Sequence, residues 1–261
     1  MKLLVTSYHY NLISDYERLS AFFDAIKENS KGIVYDIGTG SGILAIFASF
    51  GAEKVYSVEL DQNITQCAIE NFRTFPNIHL IKGDAKNINF PEKADLIICE
   101  MLDTALIDEE QIPVLKSISR YLKNNGKIIP RKILTGMEPV NLKAEHICYE
   151  NDKIGHQKLL GELKIYHEID FLGEINENVN ANMEIIINKK GTFSGVKLTS
   201  FTLLTPNIIC GPTPMMNPPM FIPTTKIDVE PQDKLKIHLE YRMGGGLNSI
   251  RIKAKKISGK F

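Results

Sequence analysis

The chain has 261 residues, 43% apolar and 24% charged, with 31 basic and 31 acidic side chains and so no formal net charge. That length and composition suit a globular protein with a sizeable core, and no apolar run nears the roughly 20 residues that span a bilayer. Charge balance argues against nucleic acid as a partner, because phosphate binding draws on a basic excess; Cys67, Cys99, Cys148 and Cys210, scattered without a C-x-x-C pair, argue against a metal site or a disulfide framework.

The opening MKLLVTSYHYNL has four apolar residues before Thr6, too few for a signal-peptide core, and this gives the expectation of a cytoplasmic protein. An N-terminal helix is expected next. GIVYDI (32–37) reads as a buried strand and GILAIFASFG (42–51) as a helix ended by Gly51. KVYSVEL (54–60) is a second strand, followed by a helix over 61–73 with Asp61 as N-cap. NIHLIKG (77–83) and ADLIICE (94–100) are the third and fourth strands. A helix is expected over 109–122 with Pro113 in its first turn, and GKIIP (126–130) is the fifth strand. Alternating strands and helices, with strands apolar on both faces, predict a Rossmann-like α/β unit with a parallel or mixed sheet over residues 1–130.

After Pro130 the period changes to two. ANMEIIINKKGTFSGVKLTSFTLLT and KIDVEPQDKLKIHLEYRMGGGLNSIRIKAKKI alternate apolar and polar residues around glycine turns, so residues 131–261 are expected to form a β-rich, barrel-like unit. One stretch near 151–167 carries a helical pattern. The basic RIKAKKISGK reads as an edge strand protected by lysines.

The informative segment is YDIGTGSG (35–42). A glycine-rich turn between a first strand and its helix is where an open parallel sheet holds a nucleotide-like ligand. Gly38, Gly40 and Gly42 let the backbone turn sharply and come close to it. Glu59 ends the second strand, where a carboxylate can accept hydrogen bonds from ribose hydroxyls. A dinucleotide fingerprint starting at Gly38 would need glycine at position 43, which is Ile43; the observed spacing is instead D-x-G-x-G-x-G from Asp36 to Gly42.

That pattern, with Glu59 and the IKGDAKN after the third strand, resembles motif I and its neighbours in the class I S-adenosylmethionine-dependent methyltransferases. The resemblance implies S-adenosylmethionine as cofactor, held by Asp36, the three glycines, Glu59 and Asp84, the last on the adenine amino group. HYNLISDYER (9–18) is similar to the H-x-x-M-L-x-D-x-x-R signature of the protein arginine methyltransferases, with Leu12 and Ile13 in place of Met and Leu. It implies that Arg18 pairs with the cofactor carboxylate, for which a guanidinium fork is suited. CEMLDTALIDEE (99–110) resembles that family's double-glutamate loop, with Glu100 and Glu109 nine positions apart. The pair implies a positively charged guest, since two carboxylates without a cation would repel each other. GKIIPRKI resembles the family's passage into its β-barrel.

Several family features are absent. No Tyr-Phe-x-x-Tyr precedes His9, no Trp-Met-Gly follows Glu100, and no Thr-His-Trp falls near GPTPMMNPPMFIPTTK; the chain has no tryptophan. NPPM (217–220) lies about 120 residues beyond the position of the amino-methylation motif it mimics and reads as a proline-rich barrel loop that can still face the substrate. The methyl acceptor is therefore a protein or peptide arginine, or a small cationic or amine metabolite; a nucleic-acid methyltransferase or a silent cofactor-binding module comes behind both. The sequence leaves the oligomeric state open.

Overall fold

Strands buried on both faces need cover on both sides, and the first half is built that way. The computed structural model describes residues 3–152 and 157–257. Its N-terminal part consists of α1 (Ser7–Ser14), α2 (Tyr16–Asn29), β1 (Ile33–Ile37), α3 (Ile43–Ser49), β2 (Lys54–Glu59), α4 (Gln62–Phe72), β3 (Ile78–Lys82), β4 (Ala94–Cys99), α5 (Gln111–Ile118) and β5 (Leu122–Ile129). The five strands form one parallel sheet in the order β3-β2-β1-β4-β5. Every residue of β1 is buried. Asp61 caps α4 by accepting the N–H groups of Asn63 and Ile64 at 2.7 and 3.0 Å, and Pro113 is the third residue of α5, where no intrahelical N–H is lost. The N-terminal helix is in fact two helices broken at Asp15, which caps α2 through the N–H of Arg18. In α2, Arg18, Phe22, Ala25 and Ile26 share the buried face at helical spacing.

The second half contains β6 (Lys132–Asn141), β7 (Cys148–Tyr149), β8 (Lys158–Leu159), β9 (Lys164–Asp170), β10 (Asn178–Ile186), β11 (Gly191–Thr205), β12 (Ile208–Cys210), β13 (Met220–Val229), β14 (Lys234–Arg242) and β15 (Arg251–Ile257). Pairing is antiparallel. The long β11 joins β6 on one side and β13 on the other, and β10, β14 and β15 form a separate sheet. β13 packs against β15 and β9 against β10, so the two sheets close on each other as a barrel does. One apolar core runs through both halves.

The helical pattern near 151–167 is not realised where the structure describes it; residues 153–156 lie outside the described residues. Lys158–Leu159 and Lys164–Asp170 are strands, and Ile169 is buried opposite Ile133 of β6. Pairing with β6 satisfies this segment's backbone groups and overrides its local period. β15 is an edge strand bearing Arg251, Lys253, Lys255 and Lys256, as its sequence implies; residues 258–260 lie outside the described residues.

Candidate active site

The glycine loop follows β1 at the carboxyl end of the parallel sheet, where such sheets open to ligands. Its N–H groups at Gly38 and Thr39 donate to the Val58 carbonyl of β2 at 3.0 and 2.9 Å. Gly38, Gly40 and Gly42 all have positive φ, at +73°, +55° and +82°, a region that L side chains avoid. What excludes side chains here differs from the expectation of a ligand alone. A Cβ on Gly42 would sit 2.4 Å from the Phe72 ring, and one on Gly40 would sit 2.7 Å from Nε2 of His9. Gly42 thus seats α3 against α4, and Gly40 lets α1 lie across the loop.

Asp36 lies beneath this loop. It is 2% exposed and accepts the Thr39 hydroxyl, which accepts in turn from Ser57. Burial pushes its carboxyl up to about 7, against the pull of the Thr39 hydrogen bond. Glu59 is also buried and ties three backbone groups together. One oxygen accepts the Gly40 N–H at 2.9 Å; the other accepts those of Leu60 and Asp61, both at 2.9 Å.

Arg18 reaches the same cavity from α2. Its guanidinium forms a buried ion pair with Glu100 at the end of β4. It also donates to the Leu12 carbonyl at 3.4 Å, and its Nε is buried with no partner among the described residues. The orphaned donor, the glycine backbone and Glu59 fit a ligand carrying both a carboxylate and a ribose. His9 holds the Thr6 hydroxyl at 2.8 Å through Nδ1, and burial lowers its pKa, favouring the neutral ring.

The segment from Glu100 to Glu109 loops between β4 and α5. Glu109 keeps an exposed surface. Partial desolvation first, then the charges of Glu100, Asp108 and Glu110, push its pKa up. The loop is pinned from outside. Ala105 N–H donates to Ser200 Oγ at 2.9 Å, Thr104 Oγ1 to the Pro218 carbonyl at 2.7 Å, and the Leu106 and Ile107 carbonyls accept from Gly244 and Gly246 at 2.8 and 2.9 Å.

One cavity brings together Arg18, Gly38, Gly40, Glu59, Glu100 and Glu109. Asp36, Gly42 and Asp84 do not line it. Asp84 instead caps the turn Ala85–Asn87, accepting from Lys86 N–H at 2.9 Å and Asn87 Nδ2 at 3.0 Å. The cavity also takes in Tyr8, Thr39, Ser41, Met101 and Met215, which sequence reasoning did not single out. Thr39 and Ser41 are the variable positions of the glycine motif, so the motif itself held the signal. Met215 belongs to the proline-rich loop before β13; its N–H donates to Asp15 at 3.3 Å, and Asn217 of the NPPM segment is buried on Ser200 and Thr202. That segment is a barrel loop, and it faces the cavity through Met215. Among the described residues no group of His, Cys, Asp and Glu could hold a metal ion, and no helix is long and apolar enough to cross a membrane.

Residues 34–126 match the family described as "Methyltransferase domain". An uncharacterized protein of Methanothermobacter thermautotrophicus is 43% identical over 250 residues, which is 96% of this chain and 98% of that protein. The probable histone-arginine methyltransferase 1.4 of Arabidopsis thaliana is 36% identical over 129 residues; the match takes 46% of this chain and spans 24% of that longer protein. In fold, the chain is similar to the Trypanosoma brucei PRMT1 enzyme-prozyme heterotetrameric complex with AdoHcy, with a TM-score of 0.78 at 15% identity over 97% of this chain and 98% of that one. The chain belongs to one family with the Methanothermobacter protein, and it is a class I S-adenosylmethionine-dependent methyltransferase that resembles the protein arginine methyltransferases.

Proposed function

We propose that this enzyme methylates a guanidinium nitrogen of a protein or peptide arginine. The observation that carries the reading is that Glu100 and Glu109 share a cavity with the glycine loop, and that the charged side chains pushing the Glu109 carboxyl up, Glu100, Asp108 and Glu110, are all acids. A carboxylate so placed gains most from a cationic guest. Two carboxylates can hold a planar guanidinium and turn one nitrogen toward the methyl donor. On this reading residues 1–130 hold the cofactor and residues 131–261 complete the acceptor wall, with Met215 contributing from the barrel side.

S-adenosylmethionine supplies an electrophilic methyl group on a sulfonium that is already a good leaving group. The protein's part is then to bind, orient and exclude water. Arg18 takes the cofactor carboxylate, Glu59 the ribose hydroxyls, and Gly38 and Gly40 offer backbone that a ligand can approach. Asp36 supports the loop from below, Gly42 fixes it to α4, and Asp84 at the end of β3 takes the adenine amino group. Orientation of this kind supplies roughly 7–11 kcal/mol of barrier reduction.

The second reading is a small cationic or amine metabolite as acceptor. It is favoured by Met215, an apolar side chain on a loop that has neither the histidine nor the tryptophan of the arginine-specific family. Labelled S-adenosylmethionine incubated with the protein and an extract of its own host separates the two. Label in acid-precipitable protein that hydrolyses to methylarginine supports the first reading. Label confined to small solutes supports the second and rejects the first.

A further inference from the structure

The loop carrying Glu100 and Glu109 has little regular structure to hold its two ends. Its only helical feature is one 3-10 turn at Thr104–Leu106, within which Ala105 and Leu106 take φ of +63° and +59°. The ties to Ser200, Pro218, Gly244 and Gly246 secure positions 104 to 107, and none of them reaches the backbone of Glu109. That contact falls to Asp103. The side chain is buried at 8% exposure and is not part of the cavity lining. Its Oδ2 accepts the N–H groups of Ile107 and Asp108 at 3.1 and 3.0 Å, and its Oδ1 accepts that of Glu109 at 3.4 Å. Three consecutive N–H groups turned toward one point make a concave donor array suited to an anion. At the other end, Gln111 is fully buried and its Oε1 accepts the N–H of Met101, the residue after Glu100, at 3.0 Å.

We infer that Asp103 is a positioning residue for the acceptor site: by gathering the N–H groups of residues 107–109 it sets where Glu109 stands relative to Glu100. This rests on the reading of Glu109 as an acceptor-binding carboxylate. The carboxylate clamp is then built into the folded chain before any substrate arrives, and the chain supplies its own carboxyl oxygens to the loop's N–H groups. A loop held only at 104–107 would let Glu109 swing toward solvent, relaxing its repulsion from Glu100, Asp108 and Glu110.

The separation of the two glutamates can be read without knowing the acceptor. With S-adenosylhomocysteine bound, the side-chain carboxyl carbon of Glu109 is titrated by NMR, its resonance assigned from its loss in Glu109→Gln. The groups bearing on it are Tyr8 from α1, Tyr149 from β7, Glu100 with its partner Arg18, and Asp103, Asp108 and Glu110 from its own loop. Replacing Glu100 by Gln in the wild type should lower the Glu109 midpoint by roughly half a pH unit or more, because a like charge has gone. In the Asp103→Asn background the same replacement should move it by less than half as much. Comparing the effect of one substitution in two backgrounds cancels the direct influence of the Asp103 charge. Equal shifts in both backgrounds would overturn the proposal. If Asp103→Asn does not fold, Asp103→Ser, whose hydroxyl still accepts one N–H, is read in the same way. The second arm is single-turnover methyl transfer to an arginine-rich peptide. Asp103→Asn should slow the wild type about tenfold, yet slow Glu109→Gln less than twofold, with S-adenosylhomocysteine affinity unchanged; equal slowing in both would mark Asp103 as structural only. A wild type that transfers no methyl group to such a peptide would remove the arginine reading and leave the titration to decide on Asp103.

Discussion

Arg18 of α2 and Glu100 at the end of β4, 82 positions apart in sequence, form a buried ion pair whose side chains are only 4% and 10% exposed. The residue assigned to the cofactor carboxylate and the residue assigned to the acceptor are therefore charge partners. Removing either leaves the other charge buried without its partner, which costs about 3–5 kcal/mol. Arg18→Met and Glu100→Gln should each destabilise by about that amount in denaturant unfolding, and the double variant by clearly less than their sum. Only the Arg18 variants should also weaken S-adenosylhomocysteine binding. Additive losses would mean the two side chains act independently.

The glycines divide by what lies behind them. Gly42→Ala presses a methyl group into the Phe72 ring at a φ of +82° and should lower stability by about 1–3 kcal/mol, seen as a lower melting temperature. Gly40→Val meets His9 at a φ of +55° on a loop lining the cavity. It should abolish measurable S-adenosylhomocysteine binding by calorimetry. Full affinity in Gly40→Val would place the cofactor elsewhere.

Glu59 straps the loop, since its two oxygens hold three backbone N–H groups, and on the proposed reading the same side chain takes the ribose. Glu59→Ala strands those donors and should cost about 1.5–3 kcal/mol of cofactor affinity. Glu59→Gln keeps one acceptor oxygen and should fall between alanine and wild type. Equal affinity of all three proteins in calorimetry would remove Glu59 from the cofactor site.

Glu109→Gln keeps shape and loses charge. If the acceptor is cationic, the loss of one charged partner costs about 2–5 kcal/mol, roughly 30-fold or more in single-turnover rate at about 1.36 kcal/mol per decade. Cofactor affinity should hold. Partial desolvation and then Glu100 keep the Glu109 carboxyl above its ordinary range, and turnover needs it ionised. The acid limb of the rate profile should therefore lie at higher pH than for a free glutamate. Wild-type rates in Glu109→Gln would leave that residue without a catalytic part.

Asp36 gives stability a pH dependence. Its folded pKa is about 7 against an ordinary 3.8, with burial as the main cause and Glu59 and Glu100 adding to it. Between those values the folded state holds a proton that the unfolded state has lost. Its contribution is therefore complete at low pH and is lost as pH rises through about 7, by up to about 1.4 kcal/mol per pH unit. Asp103, also raised to about 7 by burial, acts in the same direction. Unfolding free energies at pH 5 and pH 7.5 should differ less in Asp36→Asn than in wild type; an unchanged difference would show that Asp36 does not titrate in this window.

Local sequence determined the parts whose physics is local. A strand such as Ile33–Ile37, almost wholly apolar and short, reads as the interior of a covered parallel sheet, and every residue of it is buried. Glycines at every second position need positive φ, and Asp61 caps the helix it precedes. Period-two patterning after residue 180 gave the antiparallel half. The helical pattern near 151–167 gives way to strands where the structure describes it, because the partner, β6, lies roughly 20–40 positions earlier and pairing energy is not written in a segment's own period. The tertiary structure alone decided which side chains meet. It put the Phe72 ring under Gly42, His9 over Gly40, Arg18 against Glu100, and Met215 in the cavity that Glu109 also lines, 106 positions on. It also gave Asp103 its three N–H groups, a contact made when a loop with two left-handed residues folds back over its own acid. Spacing in sequence fixes what a residue can offer; burial and the return of distant strands fix what it is offered to.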